Sequence, residues 1–434
     1  MKNTVTSIIQ SLLLTILVVS PLVTAQLEDD ENPIILLSED QSFHFELLVP
    51  LSEAITGGAD INPVLTAAKN VTAGDFDSWA EVFWELANQT KAQAEDPEIA
   101  YDAINVRDTW FSTATYFRRA DFYLHGDPDN PLINYFWEEQ TAAFDKAMAA
   151  LPVPGQRLRI PADNFTVEAL WFPVSNSSDV NRPTIILGNG YDGAQEDLYH
   201  TFVVPAHARG WNAITYEGPG QPKVRRDQGL GFIPDWERVV TPVVDYLLTN
   251  QSAVVDPTRM PLLGYSFGGY FAARAAAFEP RISAVLLDGG VWDAFEAFYD
   301  VLPEEAQTLL NSGNATAFNE LLDALIKNPE TPTTIRWGAE QGVWSFKAKN
   351  AYDYFQLVKA YRVEEWIDRI QVPTWVADAS SEGFYPNQSM RVAEALGDRA
   401  TYHLFTGPSA YHCQTGSYQE LNRVMHSWLN KVLG

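Results

Sequence analysis

The segment from Met260 to Ala277 is the feature that most constrains the fold of this chain of 434 residues. Apolar residues run into Gly264-Tyr265-Ser266-Phe267-Gly268, and an alanine-rich run leaves this pentapeptide. A strand that passes directly into a helix needs a sharp turn, and small residues around the turn let the two elements approach closely. The pattern therefore predicts a buried strand followed by a helix, the unit from which parallel sheets are built.

The same alternation continues through the C-terminal part of the chain. After Pro152-Val153-Pro154-Gly155, short β-branched runs alternate with helical patterns, which predicts a mostly parallel sheet covered on both faces. The first two runs, residues 157–160 and 166–174, are expected to form an antiparallel pair. The strands predicted after them are Thr184–Leu187, Asn212–Tyr216, Met260–Leu263, Ala284–Asp288, Thr374–Asp378 and Thr401–Phe405.

Two helical regions accompany the sheet. Aromatic and apolar residues at helical spacing predict a helical domain over residues 26–150, in which residues 26–42 form an acidic leader without periodicity. The sheet core is expected over residues 151–290 and 371–434. Between these parts, residues 291–370 read as helical, and an insertion of this kind predicts a cap over the sheet edge where ligands bind. We interpret the many aromatic residues as core.

The charge of the chain excludes several classes of partner. It carries 29 basic and 56 acidic residues, a formal net charge of −27. A surface of this sign repels nucleic acids and anionic lipids. Apolar residues make up 46% of the chain, which is enough for a packed core and argues against a disordered protein.

The N-terminus is typical of a secretory signal peptide. Lys2 precedes an apolar run from Ile8 to Val19, and Val23-Thr24-Ala25 offers a cleavage site before Gln26. We expect residues 1–25 to be removed and the mature protein to be secreted and extracellular. No later apolar run is long enough to span a bilayer, so no membrane association is expected after cleavage.

Seven Asn-X-Ser/Thr sequons agree with secretion. The candidate glycosylation sites are Asn70, Asn88, Asn164, Asn176, Asn250, Asn314 and Asn387. The single cysteine, Cys413, excludes an intrachain disulfide, so a secreted protein of this size must rely on its core for stability. Cys413 itself is interpreted as an inert buried thiol.

Ser266 is the candidate nucleophile. A serine at a sharp strand-to-helix turn is held in strained geometry, with its hydroxyl projecting over the edge of the sheet. The N-terminus of the following helix, with the N–H of Phe267, favours an oxyanion that develops next to the serine. The alternative is a glycine-rich turn whose serine takes no part in chemistry.

The base and the acid must come from farther along the chain. In proteins with such a turn, the partners follow in the order serine, acid, histidine. His403 lies within a predicted strand and His426 within the predicted terminal helix, whereas His412 lies in the loop between them and is the candidate base. Glu382, in the turn after the strand that ends at Asp378, is the candidate acid, and Asp378 is the alternative.

These residues, together with four further segments, resemble a known family. The segments are Gly188–Asp197, Tyr216–Gln221, Asp288-Gly289-Gly290 and Ala410–Gln414. From about Phe43 to its C-terminus, the chain is similar to the α/β-hydrolases related to 2,6-dihydropseudooxynicotine hydrolase and to the fungal pigment enzymes that shorten polyketide naphthopyrones. The resemblance implies an α/β-hydrolase fold with a helical N-terminal domain and a helical cap. It also implies cleavage of a carbon–carbon bond next to a ketone, and not only of esters.

The loop after the third strand of the predicted sheet carries two further candidates. The family's helper carboxylate falls on Asp192, where this chain has aspartate in place of the usual glutamate, one methylene shorter. From the residues alone, the alternative for Asp192 is a turn residue before Gly193. Glycines in the same loop let the N–H of Tyr191 face the oxyanion as a second donor. Glu217, before Gly218-Pro219-Gly220, is interpreted as a carboxylate that anchors a turn.

The sequence therefore predicts a secreted serine hydrolase that acts on a small ketone, polyketide-like or ester substrate. An adjacent imidazole activates the serine directly, so neither a cofactor nor a metal is expected. The alternatives are a carboxylesterase, an aminopeptidase-type hydrolase of the same fold, and a catalytically inactive binding protein on a hydrolase scaffold. The expected partner is a small-molecule substrate, and the resemblance leaves open a homodimer.

Overall fold

The computed structural model describes residues 35–177 and 180–434. The signal peptide predicted at residues 1–25 lies outside the described residues. Helix α1 spans Gln41–Glu53 and begins before the predicted end of the acidic leader, because Asp40 caps it by accepting a hydrogen bond from the N–H of Phe43. Throughout the described part, the helices lack the combination of length and apolarity that is required to cross a bilayer.

The helices between α1 and the sheet form a compact layer. They are α2 Ile61–Asn70, α3 Phe76–Glu95, α4 Ala103–Asp121 and α5 Pro131–Ala149. Asp75, Asp102 and Asn130 cap α3, α4 and α5 by accepting hydrogen bonds from backbone N–H groups of the first turn. Helix α4 packs against both α3 and α5, and Phe83 and Phe136 are fully buried in this layer. The aromatic residues here are core, as predicted.

The sheet follows the helical layer. Its strands are β1 Gln156–Pro161, β2 Thr166–Phe172, β3 Thr184–Gly188, β4 Asn212–Glu217, β5 Leu262–Tyr265, β6 Val285–Asp288, β7 Thr374–Ala379 and β8 Ala400–Phe405. Among the described residues, the strand order is β1-β2-β4-β3-β5-β6-β7-β8. Strand β2 is antiparallel to β1 and to β4, and the other neighbouring pairs are parallel. The predicted mostly parallel sheet is confirmed, and the carboxyl ends of β3 to β8 meet at one edge.

Helices cover both faces of the sheet. Those within the sheet region are α6 Val204–His207, which continues a π-helical turn at Tyr199–Val203, α7 Pro222–Gln228, α8 Glu237–Asn250, α9 Gly268–Phe278, α15 Gln388–Leu396 and α16 Tyr418–Leu433. Ile186 of β3 lies in one core with residues of α8 and α9, whereas Ile185 and Leu187 lie in a second core with residues of α16. Because successive side chains of a strand point to opposite faces, these two cores are the two sides of a sheet buried on both faces.

A helical insertion between β6 and β7 lies over the carboxyl edge. It consists of α10 Ala294–Asp300, α11 Glu304–Asn311, α12 Ala315–Lys327, α13 Thr333–Ser345 and α14 Ala351–Val358. The hydroxyl of Tyr191, in the loop after β3, donates to the carbonyl of Gly338 at 2.8 Å and lies 2.9 Å from the hydroxyl of Tyr354. Trp337 also stacks on Phe122, with ring centroids 5.2 Å apart. The insertion thus contacts both the sheet edge and the N-terminal helices, as expected of a cap.

Candidate active site

Ser266 occupies the sharp turn between β5 and α9. Its φ is 59°, a left-handed conformation that strains a residue with a side chain. The N–H of Ser266 donates to the carbonyl of Asp288 at 2.7 Å, which helps to hold this conformation. At Gly264, a Cβ would lie 1.9 Å from the carbonyl oxygen of Gly268, so only glycine lets the strand and the helix approach this closely. Ser266 is thereby held at the carboxyl edge of the sheet.

His412 reaches Ser266 from the loop between β8 and α16. Its Nε2 lies 2.8 Å from the Oγ of Ser266. The next two residues, Cys413 and Gln414, have φ values of 51° and 50°, so the chain turns tightly just after the imidazole. His403 and His426 lie in β8 and α16, the elements predicted for them. Among the three late histidines, the structure brings His412 to the serine.

The acid beside His412 is Glu382. Its Oε2 lies 2.6 Å from the Nδ1 of His412, and its Oε1 accepts hydrogen bonds from the N–H groups of Phe384 and Tyr385 at 2.8 and 3.1 Å. Asp378, the alternative, is engaged elsewhere. Its Oδ2 accepts a hydrogen bond from the hydroxyl of Tyr402 at 2.8 Å, and its Oδ1 accepts one from the N–H of Ala379.

The pKa values of this pair move in opposite directions. Burial disfavours the imidazolium, but the neighbouring Glu382 carboxylate outweighs burial, so the pKa of His412 lies above its ordinary value. Burial also opposes ionisation of Glu382, yet the charge and hydrogen bond of His412, with two backbone N–H groups, hold the pKa of Glu382 below its ordinary value. An ionised acid that orients a basic imidazole is the arrangement that removes a proton from a serine hydroxyl.

The two predicted oxyanion donors lie next to the serine. At Gly190, a Cβ would lie 2.8 Å from the backbone nitrogen of Phe267 and 3.1 Å from the Cβ of Ser266, so the loop after β3 packs directly on the turn. Within residues 35–177 and 180–434, the N–H groups of Tyr191 and Phe267 donate to no protein acceptor. Two unpaired N–H groups at the nucleophile suit an oxyanion site.

Asp192 follows Tyr191 in the same loop. Its carboxylate makes no hydrogen bond to the rest of the described chain. Burial raises the pKa of Asp192, and the positive charges of Arg118, Arg119 and a protonated His412 oppose that rise. Asp192 is therefore half-buried and lies within electrostatic reach of His412, which is where a helper carboxylate would have to be. Its assignment as helper or as turn residue stays a prediction.

Glu217 has the anchoring contacts that the sequence predicts. One carboxylate oxygen accepts a hydrogen bond from the N–H of Gln195 at 2.9 Å, and the other accepts one from the N–H of Lys223 at 2.6 Å. Burial raises the pKa of Glu217 to about 8. The side chain thus ties the end of β4 to two neighbouring loops.

Three residues at the site received no role from sequence reasoning. The side-chain amide of Asn189 donates to the carbonyl of Ala194 at 2.9 Å, and that of Gln221 donates to the carbonyl of Asn189 at 2.8 Å, so both shape the loop after β3. Asp288 ends β6 directly beneath the turn. All three lie within the segments that carry the family resemblance, and a polar residue at the end of a buried strand was the signal available.

Aromatic side chains surround the imidazole. The ring centroids of Phe384, Tyr385 and Phe45 lie 4.7, 6.0 and 6.5 Å from that of His412. Phe45 belongs to α1, so the N-terminal helices contribute directly to the surroundings of His412. An apolar or aromatic substrate suits walls of this kind.

The candidate glycosylation sites lie at the surface of the described structure. The seven asparagines are all exposed, as N-glycosylation requires. Asn314 also caps α12, and Asn387 adopts a left-handed conformation just before α15. The third residue of the sequon at Asn176 lies outside the described residues. Glycosylation at these positions stays a prediction.

Comparisons with known proteins give fungal hydrolases as relatives. No protein-family model matches the chain. Hydrolase acrC of Aspergillus aculeatus is 27% identical over 374 residues, which cover 82% of this chain and 86% of the relative. The 20-hydroxy-prefusarin hydrolase FUS2 of Gibberella moniliformis is 27% identical over 407 residues, which cover 90% of this chain and 96% of the relative.

A solved structure is similar over most of the chain. The crystal structure of 2,6-dihydroxy-pseudo-oxynicotine hydrolase matches with a TM-score of 0.68 and 20% sequence identity. The match covers 88% of this chain and 95% of that protein. At this level of identity the likeness concerns the fold, which includes a sheet of the same kind.

Proposed function

We propose that this chain, an enzyme of the α/β-hydrolase fold, is a serine hydrolase in which Ser266 is the nucleophile, His412 the base and Glu382 the acid. The observation that carries the proposal is the continuous chain of contacts from Ser266 Oγ to His412 Nε2 at 2.8 Å and from His412 Nδ1 to Glu382 Oε2 at 2.6 Å. A binding protein on the same scaffold would not need these contacts between Ser266, His412 and Glu382.

The proposed reaction begins when Ser266 Oγ attacks the substrate's carbonyl carbon while His412 Nε2 takes the hydroxyl proton. The N–H groups of Phe267 and Tyr191 stabilise the resulting oxyanion. Collapse of the tetrahedral intermediate expels the leaving group, which takes the proton from His412, and leaves an acyl-enzyme. A water molecule that His412 deprotonates then attacks the acyl carbon, and the carboxylic acid product and the Ser266 hydroxyl are released.

The same steps cleave a carbon–carbon bond when a second carbonyl stands β to the first. The leaving group is then a carbanion stabilised as an enolate, and it is protonated at carbon as it leaves. Asp192 is our candidate helper for that step, because its half-buried side chain lies within electrostatic reach of His412. The family resemblance supports this extension beyond esters.

We infer a small ketone, polyketide-like or ester substrate with apolar or aromatic character. The rings of Phe45, Phe384 and Tyr385 around His412 support this class. The relative FUS2 carries the name of a hydrolase for one defined natural product, 20-hydroxy-prefusarin. We further infer that the enzyme is secreted, from the predicted signal peptide and sequons.

Ser266→Ala is the variant that tests this function. We expect it to lower kcat on an aryl ester or a β-diketone by at least about 10⁴-fold, because the remaining site can only bind and polarise the carbonyl. The melting temperature should change little, since the substitution removes one oxygen atom from a half-buried side chain. Comparing the two substrates on the unaltered enzyme separates ester from carbon–carbon specificity.

A fluorophosphonate probe provides the control. It should label the unaltered protein and Ser312→Ala, which changes an exposed serine of the cap, but not Ser266→Ala. Turnover that survives in Ser266→Ala would refute the mechanism. Absence of labelling in the unaltered protein would instead favour a binding protein.

A further inference from the structure

Arg118 reaches from the N-terminal helices into the loop that carries the second oxyanion donor. It lies in the last turn of α4, and it is only 3% exposed. Its Nη2 donates to the main-chain carbonyl of Asp192 at 2.7 Å, and its Nε donates to the carboxylate of Asp197 at 3.3 Å. One guanidinium therefore holds two points of the loop after β3, five residues apart. A buried, doubly bonded arginine fixes position more strictly than a single contact does.

The loop itself is closed by further hydrogen bonds. The Asp197 oxygen that faces Arg118 also accepts a hydrogen bond from the N–H of Ala194 at 2.9 Å. The side chain of Asn189 accepts a hydrogen bond from the N–H of Gly190 and donates to the carbonyl of Ala194. These bonds make residues 189–197 one rigid unit, which Arg118 attaches to α4.

The position of the held carbonyl matters for the chemistry. The Asp192 carbonyl belongs to the peptide group after the Asp192 side chain, and the Tyr191 N–H lies two peptide groups before it. Fixing the carbonyl therefore restricts both the direction of the Tyr191 N–H and the placement of the Asp192 carboxylate. From the opposite side, the cap reaches the Tyr191 carbonyl through the side chains of Gln341 and Ser345, each at 3.4 Å.

We propose that Arg118 is a positioning residue that acts through the loop 189–197, holding the Tyr191 N–H and the Asp192 carboxyl group in register with Ser266. This rests on the proposed function and adds that the helical N-terminal domain is part of the catalytic apparatus. Arg118 touches neither the nucleophile nor the base, so its effect is exerted on kcat through geometry.

The neighbouring Arg119 offers a matched control. It is equally buried, but its Nη1 donates to the Glu46 carboxylate at 2.8 Å and makes no hydrogen bond to the loop after β3. Arg118→Lys and Arg119→Lys each keep a positive charge and lose the planar fork of donors. Any general loosening of α4 should therefore be similar in the two variants.

We expect Arg118→Lys to lower kcat by about 10- to 100-fold with KM changed less than threefold, because a lysine cannot hold both acceptors and a small displacement of the donors is costly. Arg119→Lys should keep kcat within about threefold of the unaltered enzyme. Unchanged kcat in Arg118→Lys, an equal loss in both variants, or a loss confined to KM would each overturn the proposal.

A pH profile adds a readout that general destabilisation would not produce. The groups that face Asp192 electrostatically are Arg118, Arg119, Asp197, Glu46, His412, Tyr191, Tyr385 and Cys413. Arg118 lowers the pKa of Asp192 and Asp197 raises it. Arg118→Met should therefore move the Asp192 limb of the kcat profile to higher pH, and Asp197→Asn should move it to lower pH. Where the profile has an Asp192 limb, shifts of that limb in the same direction, or no shift, contradict the proposal.

Asp192→Asn and Ser266→Ala separate the positioning role of Arg118 from the proposed function. The Asp192 limb is identified as the part of the profile that disappears in Asp192→Asn. If that variant reproduces the unaltered profile, the helper role of Asp192 is refuted and kcat of the two lysine variants decides the inference. Asp197→Asn keeps the shape of its side chain and tests the same contact should the Arg118 variants fail to fold. Turnover that survives in Ser266→Ala would refute the function itself.

Discussion

Asp288, near the site, lies in an environment that disfavours a charged carboxylate. It is fully buried at the end of β6, and within the described chain neither carboxylate oxygen has a hydrogen-bond partner. Burial raises the pKa of Asp288 from 3.8 to about 7. A carboxyl group whose pKa is higher in the folded protein than in the unfolded chain stabilises the fold only while it is protonated, so its contribution declines as the pH rises from 3.8 toward about 7. That decline amounts to about 4 kcal/mol.

Asp288→Asn should remove this dependence on pH. The amide cannot ionise, and it leaves a buried polar group whose cost, about 1–3 kcal/mol, does not vary with pH. We therefore expect the melting temperature to fall less between pH 5 and pH 8 in the variant than in the unaltered protein. Asp300→Asn, at an exposed aspartate, should leave the difference unchanged. Equal pH dependence in all three proteins would contradict a protonated Asp288.

The same variant should also alter catalysis. When Asp288 is ionised, its charge adds to that of Glu382 in raising the pKa of His412, and His412 must be neutral to act as a base. In the unaltered enzyme, kcat/KM should therefore fall as the pH drops through a value above 6.5, the ordinary pKa of the imidazole. In Asp288→Asn this limb should move to lower pH.

At the scale of elements, two loops after neighbouring strands bring Glu382 and His412 together. The N–H of Ser381, after β7, donates to the carbonyl of Ala410, after β8, at 3.0 Å, and Ser381 forms a parallel bridge with Tyr411. Strands β7 and β8 thus continue their pairing into the loops that carry Glu382 and His412. Adjacent parallel strands place the two side chains together because their carboxyl ends share an edge.

Substitution of Asp378, within β7, and of Glu382, in the turn after it, should give unequal losses of kcat. Glu382→Gln is expected to lower kcat by about 10³- to 10⁴-fold, because an amide neither stabilises the imidazolium nor enforces its tautomer. Asp378→Asn is the matched control and should cost less than about tenfold, since Asp378 bonds to Tyr402 and not to His412. A loss in Asp378→Asn equal to that in Glu382→Gln would show that the acid had been misassigned.

The elements that the sequence predicted are the long or strongly patterned ones. The strands ending at Gly188, Tyr265 and Asp288 were found because buried parallel strands are continuous β-branched or apolar runs. The short helices α6 and α7 gave no such signal, because packing on the sheet and a proline at the first helical turn define them more than periodicity does.

At the scale of the whole molecule, three layers enclose one edge of the sheet. Phe45 of the N-terminal helices approaches His412, and Tyr354 of the cap contacts Tyr191. Asp40, at the start of α1, accepts a hydrogen bond from the Thr333 hydroxyl of the cap at 2.8 Å. Entry to Ser266 therefore depends on the mutual packing of three parts that are far apart in the chain.

Secretion is a prediction about the whole molecule. Expressed in a eukaryotic secretory host, the protein should appear in the medium with Gln26 as its first residue, and an endoglycosidase should increase its electrophoretic mobility. Replacing the asparagine of an occupied sequon by glutamine should remove one glycan and so reduce that change in mobility. Asn62→Gln, at an exposed asparagine outside any sequon, should leave the change in mobility as it is. Intracellular retention with an intact N-terminus would contradict the prediction.

The sequence by itself determined the order and kind of the main elements, the turn at Ser266, and a short set of candidates for its partners. Local patterns suffice for these because hydrophobic periodicity and turn residues act over a few positions. The sequence also preferred Glu382 to Asp378 as the acid, but only the tertiary structure placed Glu382 against His412 and Asp378 against Tyr402, joined Arg118 to the Asp192 loop, and left the Asp288 carboxylate without a hydrogen-bond partner in the described chain. Those choices depend on contacts between residues about 30 to 150 positions apart, whose distances and burial are fixed only when the layers pack together.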